Sequence, residues 1–202
     1  MLGSVRIPTA VLLALTAGTA FAQKNGQPGP QNSDFSFLLG SPLGGSSAVA
    51  SNGTRATTSP SYCFQSAFAH TVHSFTFGDL WFEVPSTTED RPASNADIDY
   101  SAFYVTLGAR LTVPLGSRWS FYGATGGGYV EFTADERLTP DGKDHSLTNF
   151  HGAFDVGLGI DFRLTRLLSI RGESRDYVTG RGLGGVAGRN HVIALFGLAV
   201  HL

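Results

Sequence analysis

The sequence has little charge, one cysteine and no long apolar run. Only 15% of its 202 residues are charged, against roughly 25% in ordinary soluble domains. Fourteen Lys and Arg stand against sixteen Asp and Glu, a net charge of -2. That balance argues against a phosphate-tracking surface and so against nucleic acid as a partner. The single cysteine, Cys63, excludes an internal disulfide framework and a cysteine-rich zinc site. Beyond the amino terminus no stretch has the ~18 consecutive apolar residues of a membrane-spanning helix. Insertion into a bilayer would therefore have to be by strands. What the chain has instead is glycine: 26 of 202 residues, nearly twice the usual share of about 7%.

The first 22 residues read as an export signal. Arg6 supplies the positive end, Ala10 to Leu15 a short apolar core, and Ala20-Phe21-Ala22 an A-x-A cleavage site. Cleavage between Ala22 and Gln23 is expected. The apolar core is too short to anchor, since a spanning helix needs about 20 apolar residues. Residues 23–33 (QKNGQPGPQNS) are polar and rich in proline and glycine, a disordered lead-in to a domain at 34–202.

That domain alternates with a period of two. In Thr148 to Leu164, Phe150, Phe154, Val156, Leu158, Ile160 and Phe162 oppose Asn149, His151, Asp155, Gly157, Gly159, Asp161 and Arg163. A strand separates such sets onto two faces and a helix does not. The stretch also exceeds the 9–11 or so residues that cross a bilayer at a tilt. The same pattern marks Ile98 to Val113, with Phe103, Val105, Leu107, Ala109, Leu111 and Val113 on the oily face. It marks Leu168 to Val178 and His191 to Leu202 as well. Trp119 to Phe132 is broken by glycines, and its expected oily face is Tyr122, Val130 and Phe132 against Thr125, Tyr129 and Glu131. Asp34 to Leu39, Tyr62 to His73 and Asp79 to Val84 complete eight strands, with a break expected within Ser74 to Gly78.

The connections alternate too. Ser41 to Ser61, Pro85 to Asp97, Thr133 to Leu147 and Thr179 to Asn190 are long. Ser74 to Gly78, Pro114 to Arg118 and Leu164 to Leu167 are short. In an up-and-down barrel this puts all long loops at one rim and all tight turns at the other, the asymmetry of outer-membrane barrels. The fold expected is all-β: an eight-stranded antiparallel transmembrane β-barrel.

Alternation alone does not say which face points out, and a soluble barrel would bury its oily face. The low charge argues for the inverted arrangement. So do Gly108, Gly127, Ala153, Gly157 and Gly159 on the polar face, which suit a cramped interior. The charges there nearly cancel: Glu83, Glu131, Asp155, Asp161 and Glu173 against Arg110, Arg163, Arg171 and Arg175. Enclosed charges need partners, so an internal ion-pair network is expected.

From Asp79 to Leu202 the chain resembles the small outer-membrane barrels grouped with the opacity porins and the OmpA transmembrane domain. The segments that carry the likeness are FYVTLGARLTVPLGSRWSFYGATGGGYVEF, FDVGLGIDFRLTRLLSIRGESRDYVTG and GRNHVIALFGLAVHL. The resemblance implies residence in the outer-membrane bilayer and insertion by the barrel-assembly machinery. The chain departs from the group in ending on Leu202, where phenylalanine is usual. The fold hosts adhesins, anchors, enzymes and channels, so it implies no activity.

Candidate chemistry is sparse, and neither cofactor nor metal is implied. His70 and His73 should face opposite sides of a strand. Gly182 to Gly188 is glycine-rich but leads into a strand rather than a helix N-terminus, so it does not read as a dinucleotide loop. Ser169 or Ser174 with His151 and Asp155 is the one nucleophilic arrangement worth weighing, and Ser174 should lie on the opposite face from the other two. Trp81, Trp119, Tyr122, Phe132 and Tyr177 read as an aromatic belt, and Cys63 as a packed small side chain. The expected function is structural or surface-interacting, with any ligand taken by the long loops. A narrow channel, a soluble barrel for an apolar ligand and a lipid-modifying enzyme remain as rivals.

Overall fold

A computed structural model describes residues 31–43, 46–49, 55–58, 62–92, 98–136, 145–179 and 190–202. The expected signal segment, its cleavage point at Ala22 and Gln23, and the glycine-rich run at 182–188 lie outside the described residues. Ten strands form among the described residues: β1 (Ser33–Pro42), β2 (Ser46–Val49), β3 (Arg55–Thr58), β4 (Cys63–Phe75) and β5 (Gly78–Pro92). They continue with β6 (Ile98–Pro114), β7 (Trp119–Glu136), β8 (His145–Arg163), β9 (Leu168–Thr179) and β10 (Asn190–His201). Strands β2 and β3 pair with each other as a small hairpin in the first long connection. The other eight close into one antiparallel barrel in sequence order. The last strand returns to the first, from Asp34 opposite His201 to Pro42 opposite Ile193. No helix among the described residues is long and apolar enough to cross a membrane.

The barrel is inside out relative to a soluble one. Leu158 on β8 is 57% exposed, while Arg175 on the adjoining strand is 1% exposed. Leu107, Phe154, Ile160, Phe196 and Leu198 share the exposed outer face. So continuous an apolar exterior belongs in hydrocarbon, because soluble proteins rarely expose patches above a few hundred Å².

The ends of the barrel at Ser33 and His201 share one rim with the three tight turns among the described residues, and the strand ends that lead into the long connections share the other. The β6–β7 turn uses Gly116 at φ 91°, in the left-handed region that favours glycine. Strands β6, β7 and β8 run to 17, 18 and 19 residues, well past the 9–11 or so needed to cross. The wall therefore absorbs parts of the expected loops, including Pro85–Pro92. There Thr87 and Glu89 still point inward and are buried, while Ser86 and Thr88 are half-buried. Above the hydrocarbon the outward face need not be apolar, so the hydrophobic alternation fades while the ladder continues. The β5–β6 register runs from Asp79–Thr112 to Glu83–Gly108 and resumes at Ser86–Val105. The gap falls at Pro85, which has no N–H to contribute.

A bulge in β4 corrects the expectation for the histidine pair. The β4–β5 register shifts between Thr71 and His73, so that His70 stands opposite Phe82 and His73 opposite Leu80. Directly paired residues share a face, and both imidazoles therefore lie on the outside. His70 Nδ1 is 2.8 Å from Ser33 Oγ, and His73 packs edge-on against Phe75. Ser33, assigned by sequence to the lead-in, thus opens the first strand.

Placing a charge on the girdle tests its orientation. Leu158→Arg is expected to destabilise the barrel in lipid vesicles by about 2–4 kcal/mol, read by denaturant unfolding. An unchanged midpoint would mean that Leu158 does not face hydrocarbon.

Candidate functional site

The lumen is filled by a chain of ion pairs in the half nearer the tight turns. Strand β9 sends Arg171, Glu173 and Arg175 inward at successive alternate positions, beside Asp161, Gly159 and Gly157 of β8. Arg171 donates from Nε to Asp161 Oδ1 at 2.7 Å and from Nη2 to Asp161 Oδ2 at 2.9 Å. The same Nη2 reaches Asp34 Oδ2 of β1 at 3.0 Å. Arg110 of β6 takes the same Asp34 oxygen at 2.5 Å through Nη2, and Glu83 Oε2 of β5 at 3.2 Å through Nη1. Arg175 closes the chain by pairing with Glu83, with Asp155 Oδ1 at 2.7 Å and with Glu173 Oε1 at 2.6 Å. The path Asp161–Arg171–Asp34–Arg110–Glu83–Arg175 thus crosses the lumen and ties five strands together.

Neutral donors supplement the guanidiniums. Tyr122 donates to Glu173 Oε2 at 2.6 Å, and Gln65 Nε2 donates to Glu173 Oε1 at 3.1 Å. Thr87 Oγ1 bonds Gln65 Oε1 at 2.9 Å and lies 2.6 Å from the Tyr177 hydroxyl. The Tyr122 ring sits between Arg110 and Arg171, with centroid distances of 5.3 and 5.2 Å, and Trp81 lies 4.9 Å from the Arg110 guanidinium carbon. Cation–π contact of this kind strengthens when water is excluded. Towards the long-connection rim the filling becomes apolar: Leu38, Cys63, Tyr100, Tyr104, Val130, Phe132, Ile193 and Leu195 are buried together.

Seven of the nine charged residues marked by sequence come together here: Glu83, Arg110, Asp155, Asp161, Arg171, Glu173 and Arg175. Two do not. Glu131 lies opposite the outward Phe103 and Phe150, so it sits on the outer face of β7. Arg163 keeps the inward parity of β8 but is exposed at the rim, two residues beyond Asp161. The phase of β7 is opposite to expectation: Tyr122, Val130 and Phe132 point inward, Thr125, Gly127 and Tyr129 outward. The proposed belt dissolves accordingly. Trp81, Tyr122, Phe132 and Tyr177 are interior, and of that set Trp119 alone is exposed.

Sequence reasoning also misses Asp34, the carboxylate shared by two arginines. Its signal is present, since Asp34, Ser36 and Leu38 alternate with Phe35, Phe37 and Leu39. The nucleophile candidates separate. Ser174 is on the outer face, Asp155 is held by Arg175, and Ser169 Oγ lies 2.7 Å from His201 Nε2 instead. Among the described residues no group of three or more His, Cys, Asp or Glu is placed to hold a metal.

No protein-family model matches the chain, and no curated protein matches it. Solved structures do. The chain is similar to Neisserial surface protein A at 14% identity and a TM-score of 0.59, covering 86% of this chain and 98% of that one. It is similar also to the outer membrane protein OprG from Pseudomonas aeruginosa at 14% identity and a TM-score of 0.59, covering 85% and 96%. At such identity the likeness carries the fold alone, and that fold is the eight-stranded outer-membrane β-barrel.

Proposed function

We propose that the protein is exported through its cleaved amino-terminal signal and inserted into the outer-membrane bilayer by the barrel-assembly machinery. There it serves as a structural or surface-interacting barrel, not as an enzyme or an open pore. One observation carries this reading: three guanidiniums, each 1% exposed, cross the lumen and are bound to carboxylates on other strands. An ion entering the barrel would have to break those pairs in a low-dielectric interior, where removing one partner of a buried pair costs about 3–5 kcal/mol. The long connections are the segments free to meet a surface ligand, because the wall is committed to lipid outside and to side-chain packing within.

Membrane fractionation tests placement. The protein is expected in the detergent-extracted membrane fraction, with a gel mobility that differs between unheated and boiled samples. Recovery from the aqueous fraction with no heat-dependent shift would instead favour a soluble barrel. In planar bilayers the intact protein is expected to show no discrete conductance steps, and regular porin-like steps would favour the narrow channel.

Arg175→Met tests the plug itself. It keeps bulk but takes the ion-pair partner from buried Asp155 and one of the partners from Glu83 and Glu173, and is expected to lower stability by about 3–5 kcal/mol in denaturant unfolding. A neutral result would mean that these pairs do not hold the lumen closed.

A further inference from the structure

Turns that stand in water draw mainly on Gly, Asn, Asp, Ser and Pro, yet the three tight turns of this barrel carry apolar tips. Phe77 in the β4–β5 turn, Leu115 in the β6–β7 turn and Leu167 in the β8–β9 turn are each more than half exposed. Phe75 and Phe77 stack with centroids 5.3 Å and planes 9° apart. Trp119 and Phe162, paired at the foot of β7 and β8, lie 4.6 Å apart. On β8 the outward series Leu158, Ile160 and Phe162 runs on into exposed Leu164. The rim is therefore continuous with the wall that faces lipid.

The outward charges at the other end set the depth of the barrel. Asp176 points outward on β9, opposite Val156 and Val192. It lies closer to the tight-turn end of its strand than Glu131 does on β7 or Asp90 on β5. A carboxylate on the outer face belongs outside the hydrocarbon, in the headgroup layer. Counting the about 9–11 residues that cross a bilayer from Arg175 towards the turn ends at residues 165–167, within the β8–β9 turn. Seating Asp176 among headgroups thus draws the turn tips into the opposite leaflet. Arg118, between Leu115 and Trp119, does not oppose this, because a long basic side chain lays its stem on apolar surface and keeps its head at the interface.

We propose that the tight-turn rim is itself a lipid-binding surface, whose tips insert among the glycerol and upper acyl groups of the phospholipid leaflet on that side. The inference rests on the reading of the chain as a membrane-spanning barrel and goes beyond it in fixing the depth. A protein cap over the same tips is the rival occupant, and it would leave them wet in vesicles of pure lipid.

Spin labels read the depth directly. Leu115→Cys, Leu167→Cys and, as a control on the wall, Leu158→Cys are each combined with Cys63→Ala. They are folded into phosphatidylcholine–phosphatidylglycerol vesicles, with the heat-dependent gel shift retained to show folding. Labels at all three sites are expected to collide more with dissolved oxygen than with a water-soluble nickel chelate. Oxygen preference at Leu158 with nickel preference at either turn site would overturn the proposal, leave the spanning barrel intact and favour the protein cap. Nickel preference at Leu158 as well would remove the bilayer reading and the proposal together. The unaltered protein gives a second measurement, since Trp119 is exposed and the other tryptophan, Trp81, is interior. Trp119 fluorescence is expected to be quenched by lipids brominated along the acyl chain, and quenching by aqueous iodide alone would equally overturn the proposal.

Discussion

Hydrogen-bond closure of the backbone is the constraint from which the rest follows. In hydrocarbon an unpaired N–H or C=O has no water to turn to, so a strand-built wall must have no edge. The pairing of β1 with both β4 and β10 removes the edge. Closing eight strands leaves an interior wide enough for side chains and little else. Whatever points inward must then satisfy itself, because neither lipid nor bulk water will do it. The ion-pair chain is the consequence of closure at this strand number.

The carboxylates of the ion-pair chain, Asp34, Glu83, Asp155, Asp161 and Glu173, outnumber the guanidiniums of Arg110, Arg171 and Arg175. Sharing and neutral donors accommodate the difference. Asp34 serves two arginines at once, and Glu173 accepts from Tyr122 and Gln65 as well as from Arg175. Room for these long side chains comes from glycine. A Cβ at Gly159 would run into the Tyr122 ring, and one at Gly157 would stand 3.3 Å from Arg175 Nε. On β8 these two glycines leave space for side chains of the neighbouring strands, Tyr122 of β7 and Arg175 of β9.

Much of this architecture is legible in the amino-acid sequence. Strands β6, β8, β9 and β10 carry uninterrupted alternation, and there the inward and outward sets fall where the pattern puts them. Strand β7 fails for a physical reason. Polar-in and apolar-out holds only where the interior is polar, and the upper lumen is filled by Val130, Phe132 and Tyr100. The corrective signal lies at the start of the strand, where Trp119 and Phe121 share the parity opposite to Tyr122. Asp34 is hard to see because its strand is short and its partners are distant in sequence. The His70–His73 relation is beyond the reach of periodicity, because one bulged residue inverts the parity of everything after it.

The plug also fixes where chemistry can occur. On the proposed reading the ion pairs that cross the lumen make the two mouths of the barrel separate compartments, and a ligand at one need not be a substrate for transport to the other. Arg110 is the link at the centre of that crossing. Its two terminal nitrogens are held by Asp34 of β1 and Glu83 of β5, so one guanidinium joins carboxylates from two strands other than its own.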